Sequence, residues 1–354
     1  MTPTFPTNIR IAVAQIFLFS SALFAQEMAG YQLEASNDFE LVGIPIQRPE
    51  LATIKIKSVE QGLIANWDSA STSQTFAIPM LKNRECYAEV IGPSSHSALG
   101  HRLEIDEFAS MMGKDAKLVF KVSPKNSTTP DKVLVPGTEL AIREHFDVSS
   151  LLGDSIKKQI RYGNQKPESF LFFLNYGVGE EILKLTLLRN LNGSLFWMDP
   201  SSKIVKREDT TIPIGSALGI KFGLLRGPVL GLTGDQRSTP LPFPLRTGWN
   251  LLSYPYPKDL RLGIDWGGLD SGILGGTVPQ NTDLLQIHQG TKKVSYAFEI
   301  LPSGLSGRWR QVHSGRPGEW KFPATYLDVV PAGQGFLLWK VKADSNHRFH
   351  PPKT

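Results

Sequence analysis

The sequence predicts a mainly β protein of two or three sandwich- or barrel-like domains, with short connecting helices and a possible internal duplication. Segments that alternate apolar and polar residues recur along the 354-residue chain, whereas segments with a helical period are few and short. The 32 glycines and 25 prolines favour many turns. Two pairs of short segments also resemble each other, which suggests that one structural unit occurs twice.

Ten segments are predicted as strands, either from this alternation or from a short apolar run bounded by turn residues. They are residues 52–59, 85–91, 117–122, 139–143, 170–174, 182–188, 249–254, 284–288, 294–300 and 335–341. Two short helices are predicted. One lies within residues 105–112, and the other follows Asp147, a residue type that often caps a helix N-terminus.

The internal duplication is predicted from two pairs of similar segments. Phe39–Ile46 and Trp249–Tyr256 each contain an aromatic residue, an apolar pair, a small residue and then a proline. We call these two segments the openers. Ile212–Ile220 and Val330–Leu337 each contain a proline, then a glycine, then the start of a strand, and we call them the closers.

Opener and closer follow each other twice along the chain, which predicts two repeated units. The first unit would extend from about residue 38 to 223 and the second from about 247 to 342. Because the first is much longer, we expect it to carry an insertion near residues 50–146.

Domain boundaries are placed where composition changes. The prediction is a signal peptide at residues 1–25, β domains at 26–146 and 147–240, and a C-terminal β domain at 241–354. The proline-rich segment Pro240–Pro244 is interpreted as a stiff linker before the last domain.

The N-terminus has the pattern of an export signal. One positive charge at Arg10 precedes an apolar run from Ile11 to Phe19, and small residues lead to Ala25. We therefore expect cleavage after Ala25. An uncleaved anchor is the alternative, but the apolar stretch is short for a spanning helix of about 20 residues. Because no later segment is long and apolar enough to span a membrane, the protein is predicted in the periplasm, at the cell surface or outside the cell.

The charge distribution is uneven. The net charge is +5, with −4 on residues 1–150 and +9 on residues 151–354. This basic excess could contact an anionic surface, such as an envelope polymer or lipid headgroups, or serve solubility alone. Since no run of Lys or Arg exceeds two residues and no known nucleic-acid module is present, nucleic-acid binding is not expected.

Several kinds of chemistry have no support in the sequence. Cys86 is the only cysteine, so an intramolecular disulfide is impossible, and its acidic neighbours favour an inert buried thiol. Gly177-Val178-Gly179 lacks the third glycine of a dinucleotide-binding turn, and no Gly-x-Ser-x-Gly motif occurs. We therefore predict no catalytic residue, no metal site and no cofactor.

Tryptophans are concentrated in the second half of the chain. Trp249 and Trp339 lie in apolar strands and are expected in a core. Trp266, Trp309 and Trp320 lie among glycines and polar residues, which favours exposure. Exposed indole rings could stack on sugar rings, so these three are the candidate ligand-binding residues, with packing in a core or loop as the alternative.

Four segments, taken in order, resemble an exported bacterial family that has no known activity. Members share a signal peptide, an opener of the type Leu-Val-x-Val-Pro and a late Gly-x-Asn-Leu-x-Ser-x-Pro motif. The matching segments are Leu41–Pro49, Tyr87–Gly92, Leu140–Leu152 and Gly248–Pro257. The closer departs from the family pattern, because Ala217 occupies a position where glycine is expected. The resemblance implies export and a β architecture, and no chemistry.

Two functions are therefore considered. The first is an exported, non-catalytic protein that binds or structures the cell envelope or extracellular matrix. The second is a secreted carbohydrate-active enzyme or sugar-binding module. Exposed tryptophans around a cleft with two carboxylates would favour the enzyme, and buried tryptophans would count against it.

Overall fold

The structure is a computed structural model of the chain. The signal segment and the expected cleavage site after Ala25 lie outside the residues that it describes. These residues are 28–34, 39–67, 81–107, 109–110, 117–123, 126, 128–148, 150–151, 170–174, 182–189, 195–201, 203–205, 211–221, 229–266, 272–289, 292–304, 306–313, 316–325, 328–342 and 348–349.

The predicted fold class is confirmed. Strands make up 51% of the described residues, helices make up 5%, and no helix among them reaches seven residues. None of the helices in the described ranges is both long and apolar enough to cross a bilayer. The strands are numbered β1 to β25 in chain order.

The first repeat is built on a five-stranded antiparallel sheet with the spatial order β12-β11-β10-β14-β2. Its strands are β2 (Phe39–Gly43), β10 (Phe170–Leu174), β11 (Ile182–Arg189), β12 (Leu195–Met198) and β14 (Ala217–Lys221). The opener strand β2 therefore pairs with the closer strand β14. This pairing joins residues on either side of the boundary expected at position 146.

The second repeat is built on a six-stranded antiparallel sheet with the spatial order β17-β24-β19-β20-β21-β22. Its strands are β17 (Gly248–Ser253), β19 (Leu284–Gln289), β20 (Lys292–Ile300), β21 (Gly307–His313), β22 (Arg316–Pro323) and β24 (Gly335–Lys340). Here too the opener strand, β17, pairs with the closer strand, β24.

The openers pair with their closers in the same register in both repeats. Gly43 lies opposite Ala217 in the first repeat, and Ser253 lies opposite Gly335 in the second. These four positions are the ones that the sequence comparison aligned. Equal register across two separate sheets is what an internal duplication predicts, because a slip of one residue would invert every side chain.

The agreement extends to the strands beyond the opener and closer. Trp197 on β12 lies opposite Leu187, and Trp309 on β21 lies opposite Phe298, at equivalent places in the two sheets. Both tryptophans are buried. Each repeat therefore buries one tryptophan at the same point of its sheet.

Four two-stranded ribbons complete the repeats, and they also form equivalent pairs. In the first repeat they are β1 (Met28–Glu34) with β15 (Val229–Asp235), and β9 (Phe146–Asp147) with β13 (Thr211–Ile212). In the second they are β16 (Phe243–Pro244) with β25 (Arg348–Phe349), and β18 (Leu260–Arg261) with β23 (Val329–Val330). The Pro240–Pro244 segment, interpreted as a stiff linker, thus ends in strand β16.

The inserted segment of the first repeat forms a six-stranded sheet of its own, with the order β6-β5-β8-β3-β4-β7. We call it the insert sheet. Its strands are β3 (Glu50–Glu60), β4 (Ile64–Trp67), β5 (Cys86–Gly92), β6 (Arg102–Glu104), β7 (Lys117–Val119) and β8 (Glu139–Glu144). A separate apolar core, which includes Ile54, Val90 and Leu140, packs on this sheet. In sequence, the insert sheet lies between the opener and strand β9, where the second repeat has only the short connection 257–259 between its opener and β18.

Reciprocal main-chain hydrogen bonds join the two repeats. The Gly43 N–H donates to the Gly333 carbonyl at 2.8 Å, and the Ser253 N–H donates to the Gly215 carbonyl at 2.7 Å. Gly215 and Gly333 have φ of 82° and 77°, because each is the third residue of a tight turn that requires a positive φ there. The two closer turns therefore contact the opposite openers through equivalent bonds, as in an isologous dimer.

Small residues at this junction allow the two sheets to approach closely. A methyl group added at Gly335 would lie 2.5 Å from the Ala217 Cβ and 3.2 Å from the Leu41 Cβ. Leu41, Ala217 and Leu251 form a small buried cluster, with Leu337 packed against it. The Ala217 that departs from the family pattern thus faces a glycine at the equivalent position of the second repeat.

We expect Gly335→Ala to lower the free energy of unfolding by about 1–3 kcal/mol, because the new methyl group overlaps the Ala217 methyl group. Adding Ala217→Gly in the same chain removes that overlap and should recover most of the loss, leaving less than about 1 kcal/mol. Urea unfolding of both variants measures this. Equal stability of Gly335→Ala and the wild type would contradict the close approach.

Candidate binding surface on the second repeat

Two of the three candidate tryptophans are in the core. Trp266 and Trp309 are each 1% exposed, and their ring centroids lie 5.0 Å apart. Phe298 and Phe336 complete this aromatic cluster at 5.4 Å from Trp309 and 6.0 Å from Trp266. The expectation that both rings are exposed is corrected, since neither can stack on a sugar while the core is intact.

The exposure of another tryptophan pair also differs from expectation. Trp339 is 39% exposed and Trp249 is half-buried, although both were expected in a core. They form a cross-strand pair on β17 and β24 with ring centroids 5.3 Å apart. The reason is the strand period of two: the neighbouring residues Asn250 and Leu338 point to the core side, and the tryptophans point away from it.

Trp320 is the one candidate whose ring is partly exposed. It lies on β22, half-buried, and its Nε1 donates to the Thr277 carbonyl at 3.1 Å. The Arg310 guanidinium lies over the ring, 5.5 Å from its centroid. The indole is thus held at its nitrogen by the main chain and at one face by a cation.

A pair of arginines beside Trp320 shares one carboxylate. Arg308 Nε donates to Glu299 at 2.7 Å, and Arg310 donates to the other carboxylate oxygen at 2.9 Å. Burial alone would raise the pKa of Glu299, but these hydrogen bonds outweigh burial and hold the pKa below its ordinary value. Glu299 therefore stays ionised and offsets only one of two positive charges.

The residues that follow Trp320 add charge and apolar surface. The Lys321 carbonyl accepts hydrogen bonds from Arg310, one of them at 3.0 Å from its Nε, which fixes the guanidinium against the strand. Phe322 is 76% exposed, the largest exposure among the large apolar side chains that the structure describes. We call Arg308, Arg310, Trp320 and Phe322 the hairpin surface.

A second group of charged and polar side chains is buried between the insert sheet and the repeats. Arg143 donates to the Asp235 carboxylate at 2.6 Å, and Arg237 lies 3.1 Å from Glu89. Glu89 also accepts a hydrogen bond from the Thr239 hydroxyl. All five residues are less than 8% exposed. We call them the buried charge layer.

Further contacts of this layer are made to the main chain. Arg237 donates to the Gly100 carbonyl of the insert and to the Pro240 carbonyl, both at 2.9 Å. Arg102 of the insert donates to the Ile214 carbonyl at 2.9 Å. These bonds satisfy charged groups that are out of contact with water, so the layer joins the insert sheet to the repeats.

Paired carboxylates could serve a glycosidase, and the sequence offers Glu104 with Asp106 and Glu107, or Glu180 with Glu181. Glu104 is 2% exposed and pairs with His145 through a 2.9 Å contact to Nε2. The His145 ring in turn packs on Tyr87 with centroids 4.6 Å apart. Glu180 and Glu181 lie outside the described residues. Within the described ranges, no three His, Cys, Asp or Glu side chains group as ligands for a metal ion.

Cys86 is a buried thiol, as expected from its neighbours. Burial, with a further contribution from Glu144, raises the pKa of Cys86 to about 12. Since the thiolate is the nucleophile and almost none forms at neutral pH, this side chain is chemically inert.

Comparisons with known proteins give no family. No family model matches the chain, and no curated protein matches it. Among solved structures, the chain is similar to the nematode sperm cell motility protein MFP2B, at 10% identity over 87% of this chain and 74% of that one. The TM-score is 0.15, so this likeness supports no conclusion about fold or function.

Sequence reasoning missed both the hairpin and the buried charge layer. The alternation Arg308-Trp309-Arg310-Gln311-Val312 is a strand pattern, which the surrounding glycines and prolines obscured. The buried charge layer left only one local signal, which is Glu89 within an otherwise apolar strand. Its partners are about 50 to 150 residues away in sequence, so their pairing could not be inferred.

Glu89→Gln should lower the free energy of unfolding by about 3–5 kcal/mol, because Arg237 and Arg143 would keep their charges in a buried site with less compensation. The matched control is Glu139→Gln, which removes a carboxylate from an exposed pair with Lys55 at 3.6 Å. That variant should lose less than about 1 kcal/mol. Urea unfolding compares the two, and equal losses would refute the structural importance of the layer.

Proposed function

We propose that this protein is an exported, non-catalytic component that binds or structures the cell envelope or extracellular matrix. The observation that carries the proposal is the hairpin surface, where a partly exposed indole ring and the exposed Phe322 adjoin a pair of arginines. Apolar rings with adjacent cations suit a sugar polymer that carries polar or anionic groups. The export pattern before Ala25 and the basic second part of the chain agree with it.

A binding role is favoured over catalysis by the way the buried acidic residues are used. Glu89, Asp235 and Glu104 each contact an arginine or a histidine and are at most 2% exposed. Glu89 and Asp235 pair with arginines between the insert sheet and the repeats, and Glu104 pairs with His145 within the insert. A glycosidase instead needs two carboxylates on either side of an accessible sugar.

The proposal is tested by co-sedimentation of purified residues 26–354 with cell-envelope fractions and a panel of insoluble polysaccharides. Soluble sugar release is assayed in the same tubes. We expect saturable pelleting without sugar release. Sugar release would overturn the non-catalytic role, and absence of pelleting with every fraction would overturn the binding role.

Trp320→Ala should weaken pelleting by about fivefold or more, since it removes the ring that the Thr277 carbonyl and Arg310 hold at the surface. Ile264→Ala is the matched control, because Ile264 is 58% exposed in the same repeat and lies outside the hairpin surface. The control should pellet like the wild type. Equal weakening of both variants would show that the indole has no specific part in binding.

A further inference from the structure

The two repeats differ in the length of one hairpin. In the first repeat, the Val205 N–H donates to the Trp197 carbonyl at 3.0 Å and closes the hairpin at its base. In the second repeat, the Ala324 N–H donates to the Trp309 carbonyl at 2.7 Å in the equivalent position. Since both bonds lie beside the equivalent buried tryptophans, the two hairpins begin and end at corresponding points.

The hairpin of the second repeat is twice as long. Seven residues, 198–204, lie between the closing residues of the first repeat, whereas fourteen, 310–323, lie between those of the second. In the short hairpin, Met198 pairs with Ile204 as a single bridge. The first repeat has the same sheet order and register with the short form, so the extension is not required by the fold of a repeat.

The extension contains most of the hairpin surface. Arg310, Trp320 and Phe322 all lie within residues 310–323. In the first repeat the segment 198–204 has the sequence Met-Asp-Pro-Ser-Ser-Lys-Ile, with no aromatic residue and no arginine. Only the second repeat therefore carries aromatic and guanidinium groups in this hairpin, within its longer segment 310–323.

The charge around the extension determines the class of ligand. Strands β20 to β22 and their connections, residues 292–323, carry six Lys and Arg residues against two Glu residues. One of the two acids, Glu299, already binds Arg308 and Arg310. This excess of positive charge would add little to the binding affinity for a neutral glycan, whereas an acidic polymer would be attracted to each cationic side chain.

We infer that the extended hairpin of the second repeat is a binding site for an acidic polysaccharide, with Trp320 stacking on a sugar ring and Arg308 and Arg310 contacting its carboxylate or sulfate groups. This inference deepens the proposed function and rests on it. A lipid surface is less favoured, because the Trp320 indole lies with its nitrogen bound to the Thr277 carbonyl and one face under Arg310, which does not free it to insert between acyl chains.

The test measures binding to polygalacturonate beads, uncharged dextran beads and vesicles that contain phosphatidylglycerol. The variants are made in residues 26–354, and the main one replaces residues 310–323 by the seven-residue segment Met198–Ile204. We expect the wild type to bind polygalacturonate and the replacement to bind it at least tenfold more weakly. Circular dichroism checks that the replacement keeps the β spectrum of the wild type.

A second variant tests the same idea without shortening the chain. Glu299→Gln removes the carboxylate that Arg308 and Arg310 share, so neither positive charge is offset any longer, and affinity for polygalacturonate should rise about threefold or more. Asp265→Asn is the matched control, since it frees Arg261 from a 2.8 Å ion pair in the same repeat but outside residues 310–323. The control should change the affinity by less than about twofold.

The outcomes separate the two proposals. If the wild type binds dextran as well as polygalacturonate, or if Glu299→Gln has no effect, the acidic-polysaccharide inference is wrong while a general binding function stands. Binding to the vesicles alone would overturn the inference in favour of a lipid partner. If the wild type binds none of the three probes and none of the envelope fractions, the proposed function itself fails.

Discussion

The contact between the two repeats along their shared junction is the constraint on which the other features depend. Each opener strand pairs with its own closer and also receives the closer turn of the other repeat through a main-chain hydrogen bond. Such bonds require the two backbones to be closer than ordinary side chains permit. Gly43 faces Ser253 and Gly335 faces Ala217, so small residues lie at the points of closest approach between the sheets.

This junction explains where the additional elements occur. The insert sheet leaves the first repeat after the opener and returns at β9, so it extends the chain without altering the pairing of β2 with β14. The buried charge layer then joins the insert to the segment between the repeats. The long hairpin of the second repeat lies at the opposite edge of its sheet from β17, far from the junction in strand order. Both additions could vary while the repeat was preserved.

Two groups of charged residues, those of the buried charge layer and those of the hairpin surface, have different physical roles. Those of the buried charge layer are out of water, and each carboxylate is matched by a guanidinium or hydroxyl group, so they contribute to the structure. Those of the hairpin surface are partly exposed, with two arginines on one carboxylate, so an excess of positive charge remains for a ligand. In both groups arginines pair with a glutamate, so residue type alone does not distinguish them, whereas the extent of burial does.

Local patterns were sufficient to predict the β class, most strands, the capping role of Asp147 and the similarity of the openers and closers. Asp147 does cap its turn, accepting a 2.8 Å hydrogen bond from the Ser150 N–H. These features depend on alternation, capping and turn chemistry within a few residues. The same reasoning favoured exposure of Trp309, because nearby glycines masked the alternation of β21.

Tertiary packing decided which side chains serve as core and which remain at the surface. Trp266 is buried because Trp309 and Phe336 pack around it. Trp339 is partly exposed because it lies outside the small apolar cluster that the two repeats bury at their junction. The pairing of Glu89 with Arg237 and of Asp235 with Arg143 joins residues about 90 to 150 positions apart. Burial depends on what covers a residue in space, and contacts at such separations have no signature in the neighbouring sequence.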